Sequence, residues 1–221
     1  MINILEYQAT PSDSVARIKE RLGDTTGSPD IVLRYGQAVP KLRQYKYFTE
    51  QKIPCPPWTQ DPDIAKEWWA AGEMVFARKR RITTRGEGIT IIHPDLDWNN
   101  DEFLVYTKYI PSSREFRVNL FNHSFVNIRE KLRMRGRQVN VIRNNENGYT
   151  TTHPNEMSSE LQERIKDLAL KASIISSSSF IGVDIIYCKD SDNLYVLEVN
   201  SAPAIQGSSV GMFVDSILDT F

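Results

Sequence analysis

Apolar positions along the first half of the chain recur mostly at helical spacing. Val15, Ile18 and Leu22 share one helical face, and Gly23 follows where a glycine C-cap is favoured. Ile31-Val32-Leu33-Arg34-Tyr35 reads as a strand. A second helix is predicted through Leu42, Tyr45 and Phe48, ended by Pro54-Cys55-Pro56-Pro57. Asp61-Pro62 opens a third, since proline suits the first helical position, and Gly72 closes it. Strand patterns then take over at 75–79, 89–92, 103–110 and 115–121. Ser159 with Gln162 forms a capping box before a helix whose apolar face is Leu161, Ile165, Leu168, Ala172 and Ile175. Residues 180–187 and 194–200 make a last pair of strands about the turn Lys189-Asp190-Ser191-Asp192-Asn193. Strands ahead of a long, late helix predict an α+β class rather than alternating βαβ units.

Composition narrows the function classes. The 221 residues suffice for one large domain plus a reduced second one. A formal net charge of −1 argues against a dedicated nucleic-acid binder, and no apolar run approaches the roughly 18 residues of a membrane span. Met1-Ile2-Asn3-Ile4-Leu5-Glu6 has neither a basic n-region nor an apolar h-region, so no signal peptide is expected. Cys55 and Cys188 form no C-x-x-C pair, and a reducing, cytoplasmic compartment is expected.

The last hairpin carries the chemistry. With a register symmetric about Ser191, Asp184 lies opposite Glu198, and alternation puts Asn200 on the same face as Glu198. Like charges directly opposed on a sheet are destabilising, so the pair calls for a counter-charge. A hard divalent cation, which prefers oxygen ligands, is one answer. Two carboxylates that are merely solvated on a surface hairpin are the other, and spacing alone does not choose between them.

Phe180-Ile181-Gly182-Val183-Asp184-Ile185-Ile186 followed by Leu197-Glu198-Val199-Asn200-Ser201-Ala202-Pro203 closely resembles the end of the ATP-grasp fold. The resemblance implies two α+β subdomains gripping ATP, with Asp184, Glu198 and Asn200 as ligands of one or two magnesium ions, or of manganese. Val75-Phe76-Ala77-Arg78-Lys79 and Arg85-Gly86-Glu87-Gly88-Ile89 resemble the family's phosphate-side strand and glycine-rich lid. That implies phosphate contacts from Arg78, Lys79, Arg85, Gly86 and Gly88. Arg78 stands where the family usually has lysine and Lys79 where it has proline, so which of the two reaches phosphate stays open. Tyr106-Thr107-Lys108-Tyr109-Ile110 and Glu115-Phe116-Arg117-Val118 resemble the adenine hinge and the next strand. By that resemblance Lys108 and the backbone of Tyr109 and Ile110 meet adenine, Glu115 meets the ribose, and Arg117 points into the cleft. A surface cross-strand pair is the alternative for Arg117. No G-x-x-x-x-G-K-[ST] occurs, which excludes a P-loop.

The resemblance covers about residues 40–215 and implies three segments. These are a shortened N-terminal α/β piece (1–40), a first subdomain with the phosphate lid (41–110), and a second with the metal site (111–221). It implies a carboxylate–amine ligase working through an acylphosphate, with Arg78 and Arg117 on the transferring phosphoryl group. A carboxylate and an amine are the expected partners, a peptide or protein among them. An ATP-grasp kinase or an inactive ATP-binding module is the alternative. His93, His123 and His153 are scattered, Trp68-Trp69 reads as packing, and Ser208 and Ser209 read as loop.

Overall fold

The computed structural model describes residues 2–8, 10–23, 31–79, 88–98 and 102–221. The predicted phosphate lid, Arg85 and Gly86 included, lies outside these residues, except Gly88. Strand β1 (Ile2–Glu6), helix α1 (Asp13–Leu22) and strand β2 (Ile31–Tyr35) form a two-stranded parallel unit. Ser12 caps α1, its side chain accepting from the Ser14 amide, and Gly23 follows at φ 79°. Helix α2 (Lys41–Glu50) comes next, then β3 (Trp58–Thr59) and α3 (Pro62–Ala70), which Asp61 caps ahead of Pro62. Strands β4 (Val75–Arg78), β5 (Ile89–Ile92) and β6 (Val105–Lys108) join β3 in a four-stranded antiparallel sheet ordered β3-β6-β4-β5.

A five-stranded antiparallel sheet makes up most of the rest. Its members are β7 (Arg114–Phe121), β8 (Ser124–Arg133), β9 (Tyr149–Thr152), β10 (Phe180–Cys188) and β11 (Asn193–Asn200), in the order β11-β10-β7-β8-β9. Helix α4 (Ser159–Ser173) precedes β10, and α5 (Ser208–Leu218) follows β11. The cap of α4 is Ser158, whose side chain accepts from the Leu161 amide. The cap therefore lies one residue before the expected Ser159, and with Leu161 three residues on, the expected Ser159–Gln162 capping box does not form.

Three apolar clusters organise these layers. Phe116, Val118 and Leu120 of β7 and Ile181, Val183 and Ile185 of β10 form one face of the five-stranded sheet. Tyr45 and Phe48 of α2 and Leu161, Ile165, Leu168, Ala169 and Ala172 of α4 cover that face. A second cluster joins Ile4, Val15, Ile18, Leu33 and Tyr35 to Phe121, Phe180 and Phe213, so the small parallel unit packs on the far sheet and α5. The third places Trp68 and Trp69 of α3 beside Ala65, Val75, Ala77, Ile92 and Tyr106, as packing. Alternation puts Glu115, Arg117, Asn127, Arg129, Lys131, Gly182 and Asp184 on the other face of the five-stranded sheet, polar in its middle, with Phe121 and Phe180 at one end and Ile186 at the other.

Strand β11 departs from simple alternation. Near the turn Cys188 pairs with Asn193 and Ile185 with Val196, yet Asp184 pairs with Glu198. Leu197 is the extra residue of a β-bulge. Asp184 and Glu198 are thus opposed as expected, through a bulge rather than a turn symmetric about Ser191. The bulge also lets Leu194, Val196 and Val199 all enter the core while Glu198 and Asn200 turn to the polar face.

Candidate functional site

Asp184 is the centre of the polar face and is 2% exposed. Its neighbour across the β7 ladder is Arg117, whose Nε donates to Oδ1 at 2.7 Å and Nη2 to Oδ2 at 2.8 Å. Such a two-pronged guanidinium–carboxylate pair fixes both side chains. Lys131 of β8 donates to the same Oδ2 at 2.8 Å and to Glu115 Oε1 at 2.5 Å. Arg143 Nε lies 3.9 Å from Glu115 Oε2. Gly182 leaves room for the close approach of Pro203, beside the Arg117 stem. A Cβ there would stand 3.0 Å from Pro203 Cβ and 3.5 Å from Arg117 Cδ.

The charges perturb one another in directions the geometry explains. Burial would raise the Asp184 carboxyl, but Arg117 and Lys131 outweigh it and hold the group far below its ordinary value. Burial works against the charged forms of Arg117 and Lys131, and their carboxylate partners raise both all the same. Glu115 ends above its ordinary value because burial outweighs Lys131. Glu198 is held below its own, chiefly by the Lys41 ammonium.

Glu198 stands beside Asp184 on β11, with 32% of its side chain exposed, and Lys41 of α2 is ion-paired to its Oε2. Asn200 lies across from Gly182, and its Oδ1 accepts from the Ala202 amide at 2.9 Å. Two carboxylates and an amide oxygen on one hairpin face have the donor chemistry of a hard divalent cation. Among the described residues no cluster of three or more His, Cys, Asp or Glu occurs. The residues fit magnesium, provided that ammonium groups yield the carboxylate oxygens they now contact.

The phosphate- and adenine-side residues lie on the four-stranded sheet. Arg78 is 9% exposed, Nη1 donating over a long 3.4 Å to Thr107 Oγ1, and Nε has no hydrogen-bond partner. A buried guanidinium satisfied so poorly favours an anion beside it. Lys79 is exposed, its ammonium 5.3 Å from the Phe103 ring centroid. Gly88 enters β5 at φ 71°. Lys108 pairs with Glu73 at 3.3 Å and lies over the Trp68 ring. The Tyr109 amide donates to the Met74 carbonyl at 2.9 Å, and Ile110 follows where β6 has ended.

Sequence reading missed Lys131, Arg129 and Lys41. Two of these lie on β8, which the sequence did not announce as a strand because charges interrupt its apolar positions. The usable signal was Asn122-His123, both at positive φ, a two-residue turn that returns β7 into β8. Ser208 and Ser209, expected in loop, open α5. Ser208 Oγ lies 3.5 Å from Arg129 Nη1 and 3.3 Å from His153 Nε2, and Ser209 Oγ accepts from Asn127. His93 contacts Asp95 and His123 contacts Ser173, both away from this face.

A four-stranded and a five-stranded antiparallel sheet, with the polar face on the hairpin of the latter, make up the ATP-grasp fold, which the chain shares with solved ATP-grasp structures. More narrowly, residues 113–218, a little under half of the chain, match the RimK-like ATP-grasp domain. Among solved structures, D-alanine–D-alanine ligase from Bacillus anthracis superposes with a TM-score of 0.61 at 16% identity, over 85% of this chain and 66% of that one. The ATP-grasp ligase PsnB, complexed with a minimal precursor, gives 0.61 at 16% identity, over 85% and 65%. Carboxyaminoimidazole ribonucleotide synthase from Aspergillus clavatus, complexed with ATP, gives 0.56 at 16%, over 74% and 44%. The chain thus spans about two thirds or less of these relatives. No curated protein matches it in sequence. Among the described residues no helix is long and apolar enough to cross a membrane.

Proposed function

We propose that the protein is an ATP-dependent, magnesium-requiring ligase that joins a carboxylate to an amine. The observation that carries this reading is the row Arg117, Asp184 and Glu198 across three neighbouring strands, a guanidinium beside two adjacent carboxylates on a mostly polar sheet face. Asp184, Glu198 and Asn200 would hold the magnesium, which supplies positive charge against the nucleotide phosphates. The four-stranded sheet, within 41–110, and the five-stranded sheet, within 111–221, would grip ATP between them, and 1–40 would stand on the substrate side. Adenine would lie along residues 108–110 and the ribose toward Glu115.

In the first step a substrate carboxylate oxygen attacks the γ-phosphorus, and the bond from that phosphorus to the β–γ bridging oxygen breaks. ADP leaves with the electron pair, and an acylphosphate remains. In the second step an amine attacks the acyl carbon, inorganic phosphate departs, and the nitrogen loses a proton. The charge of the in-flight phosphoryl group is met by guanidinium groups. Arg78 supports this role through its buried, unpartnered Nε, which favours Arg78 over the exposed Lys79 as the phosphate contact. Arg117 has Nε and Nη2 fixed on Asp184, and its Nη1 would be the group offered to a substrate.

A peptide carboxylate is the substrate class we favour, on the likeness to PsnB, whose structures contain a precursor peptide. The test offers ATP, magnesium, hydroxylamine and a panel of carboxylates that includes peptides. Hydroxamate formation, with stoichiometric ADP, is the expected result, because hydroxylamine traps acylphosphates. ADP release accompanied by a stable phosphorylated hydroxyl and no hydroxamate would show a kinase instead.

A further inference from the structure

Helix α2 is fastened to the outer strand of the site by one side chain. Gln44 Nε2 donates to the Val199 carbonyl at 3.0 Å, and Gln44 Oε1 accepts from the Val199 amide at 2.8 Å. The amide thus meets both backbone groups of one residue, as a neighbouring strand would. Three residues earlier, on the same face of the helix, Lys41 reaches the adjacent residue Glu198 and is ion-paired to it. Only 11% of the Lys41 side chain is exposed.

The helix itself gives no reason for a lysine there. Lys41 is the first residue of α2, where the helix dipole disfavours a cation. Its first turn holds no acid, and Pro40 ahead of it offers no side-chain cap. Among the described residues, Glu198 is the one acid ion-paired to Lys41. Glu198 is also the most exposed of the three acids on this face, with 32% of its side chain open against 3% for Asp184 and 7% for Glu115.

The geometry points to Lys41 as a built-in stand-in for the divalent cation: its ammonium neutralises Glu198 until a metal ion takes that carboxylate, and so sets the affinity for the ion. This rests on Glu198 being a metal ligand, as proposed above. An ammonium and a divalent cation repel at contact distance, so the ion gains Glu198 only by moving Lys41 aside. The Gln44 clamp holds the helix while the flexible lysine stem swings.

The probe is Mn2+ added to the full chain without nucleotide, its free fraction read by electron paramagnetic resonance. Lys41→Met should bind Mn2+ about tenfold tighter than wild type or better, by loss of a competing charge. Adding Glu198→Gln to that variant should abolish the gain. Melting in EDTA gives a second reading, with Lys41→Gln alongside in case the methionine variant folds poorly. Both variants should melt lower than wild type and recover with Mn2+, whereas wild type should hardly respond. Mn2+ binding in the lysine variants that is equal to or weaker than wild type overturns the inference. If wild type binds ATP with no dependence on magnesium, the metal-site reading itself fails. Normal magnesium-dependent ATP binding in wild type, with no tightening in Lys41→Met, removes only the role given to Lys41.

Discussion

Arg117 and Asp184 behave as one unit, because the buried charge of each is met by the other across a two-pronged contact. Arg117→Met should therefore cost about 3–5 kcal/mol, the usual penalty for stranding a buried charge, toward the low end since Lys131 remains. Urea unfolding would measure it. Should that variant still fold, turnover should fall much further than ATP affinity, which steady-state kinetics separates from binding. Acid provides an independent check. The Asp184 carboxyl titrates far below its ordinary value, so in the acid range the folded protein binds fewer protons than the unfolded chain. Its contribution is present above the ordinary carboxylate range and is lost as pH falls below about 4. Glu115 has the opposite sign, being raised, and its effect fades as pH rises past its folded value. The melting temperature of wild type should drop steeply below about pH 4, and Asp184→Asn should flatten that limb. An equal slope in both proteins would assign acid lability elsewhere.

At the scale of elements, the bulge at Leu197 separates ligand face from core face. Inserting an alanine between Asp184 and Ile185 would give Leu197 a partner and make alternation strict, forcing either Val196 or Glu198 to the wrong side of the sheet. The lengthened protein should lose magnesium-dependent ATP binding and several kcal/mol of stability (about 2–5, from core side chains losing their pocket), as calorimetry would record. That bulge also marks where sequence reading stops. The α+β class, the helices over Val15, Tyr45 and Ile165, and the last hairpin were legible because their periodicity matches how they pack. The opposition of Asp184 to Glu198 was legible too, although a symmetric turn was the wrong reason for it. Strand β8 was not legible. Arg129 and Lys131 point to a polar face rather than to solvent, so their charge hid the strand instead of marking its outer side. Lys41 could not have been found at all, since it meets Glu198 across 157 residues and through a helix-to-strand contact.

For the whole molecule, nucleotide should act as a fastener between the two sheets. ATP with magnesium at about a hundred times its dissociation constant stabilises the folded state by about 2.7 kcal/mol. For a chain of this size that is a rise in melting temperature of roughly 5–10 °C. Asp184→Asn and Glu198→Gln should each shrink the rise, and identical shifts in all three proteins would remove these residues from the nucleotide site. The far sheet has two rims, and each is short of open backbone. At one, β9 is a strand of four residues. At the other, the Gln44 amide occupies Val199, and the Pro54 carbonyl accepts from the Val196 amide at 2.8 Å. A bare rim would be a template on which further chains could add strand by strand. Gln44 is thus a guard against fibril growth as well as a fastening, and Gln44→Ala should shorten the lag before thioflavin-positive aggregates form under mild heating.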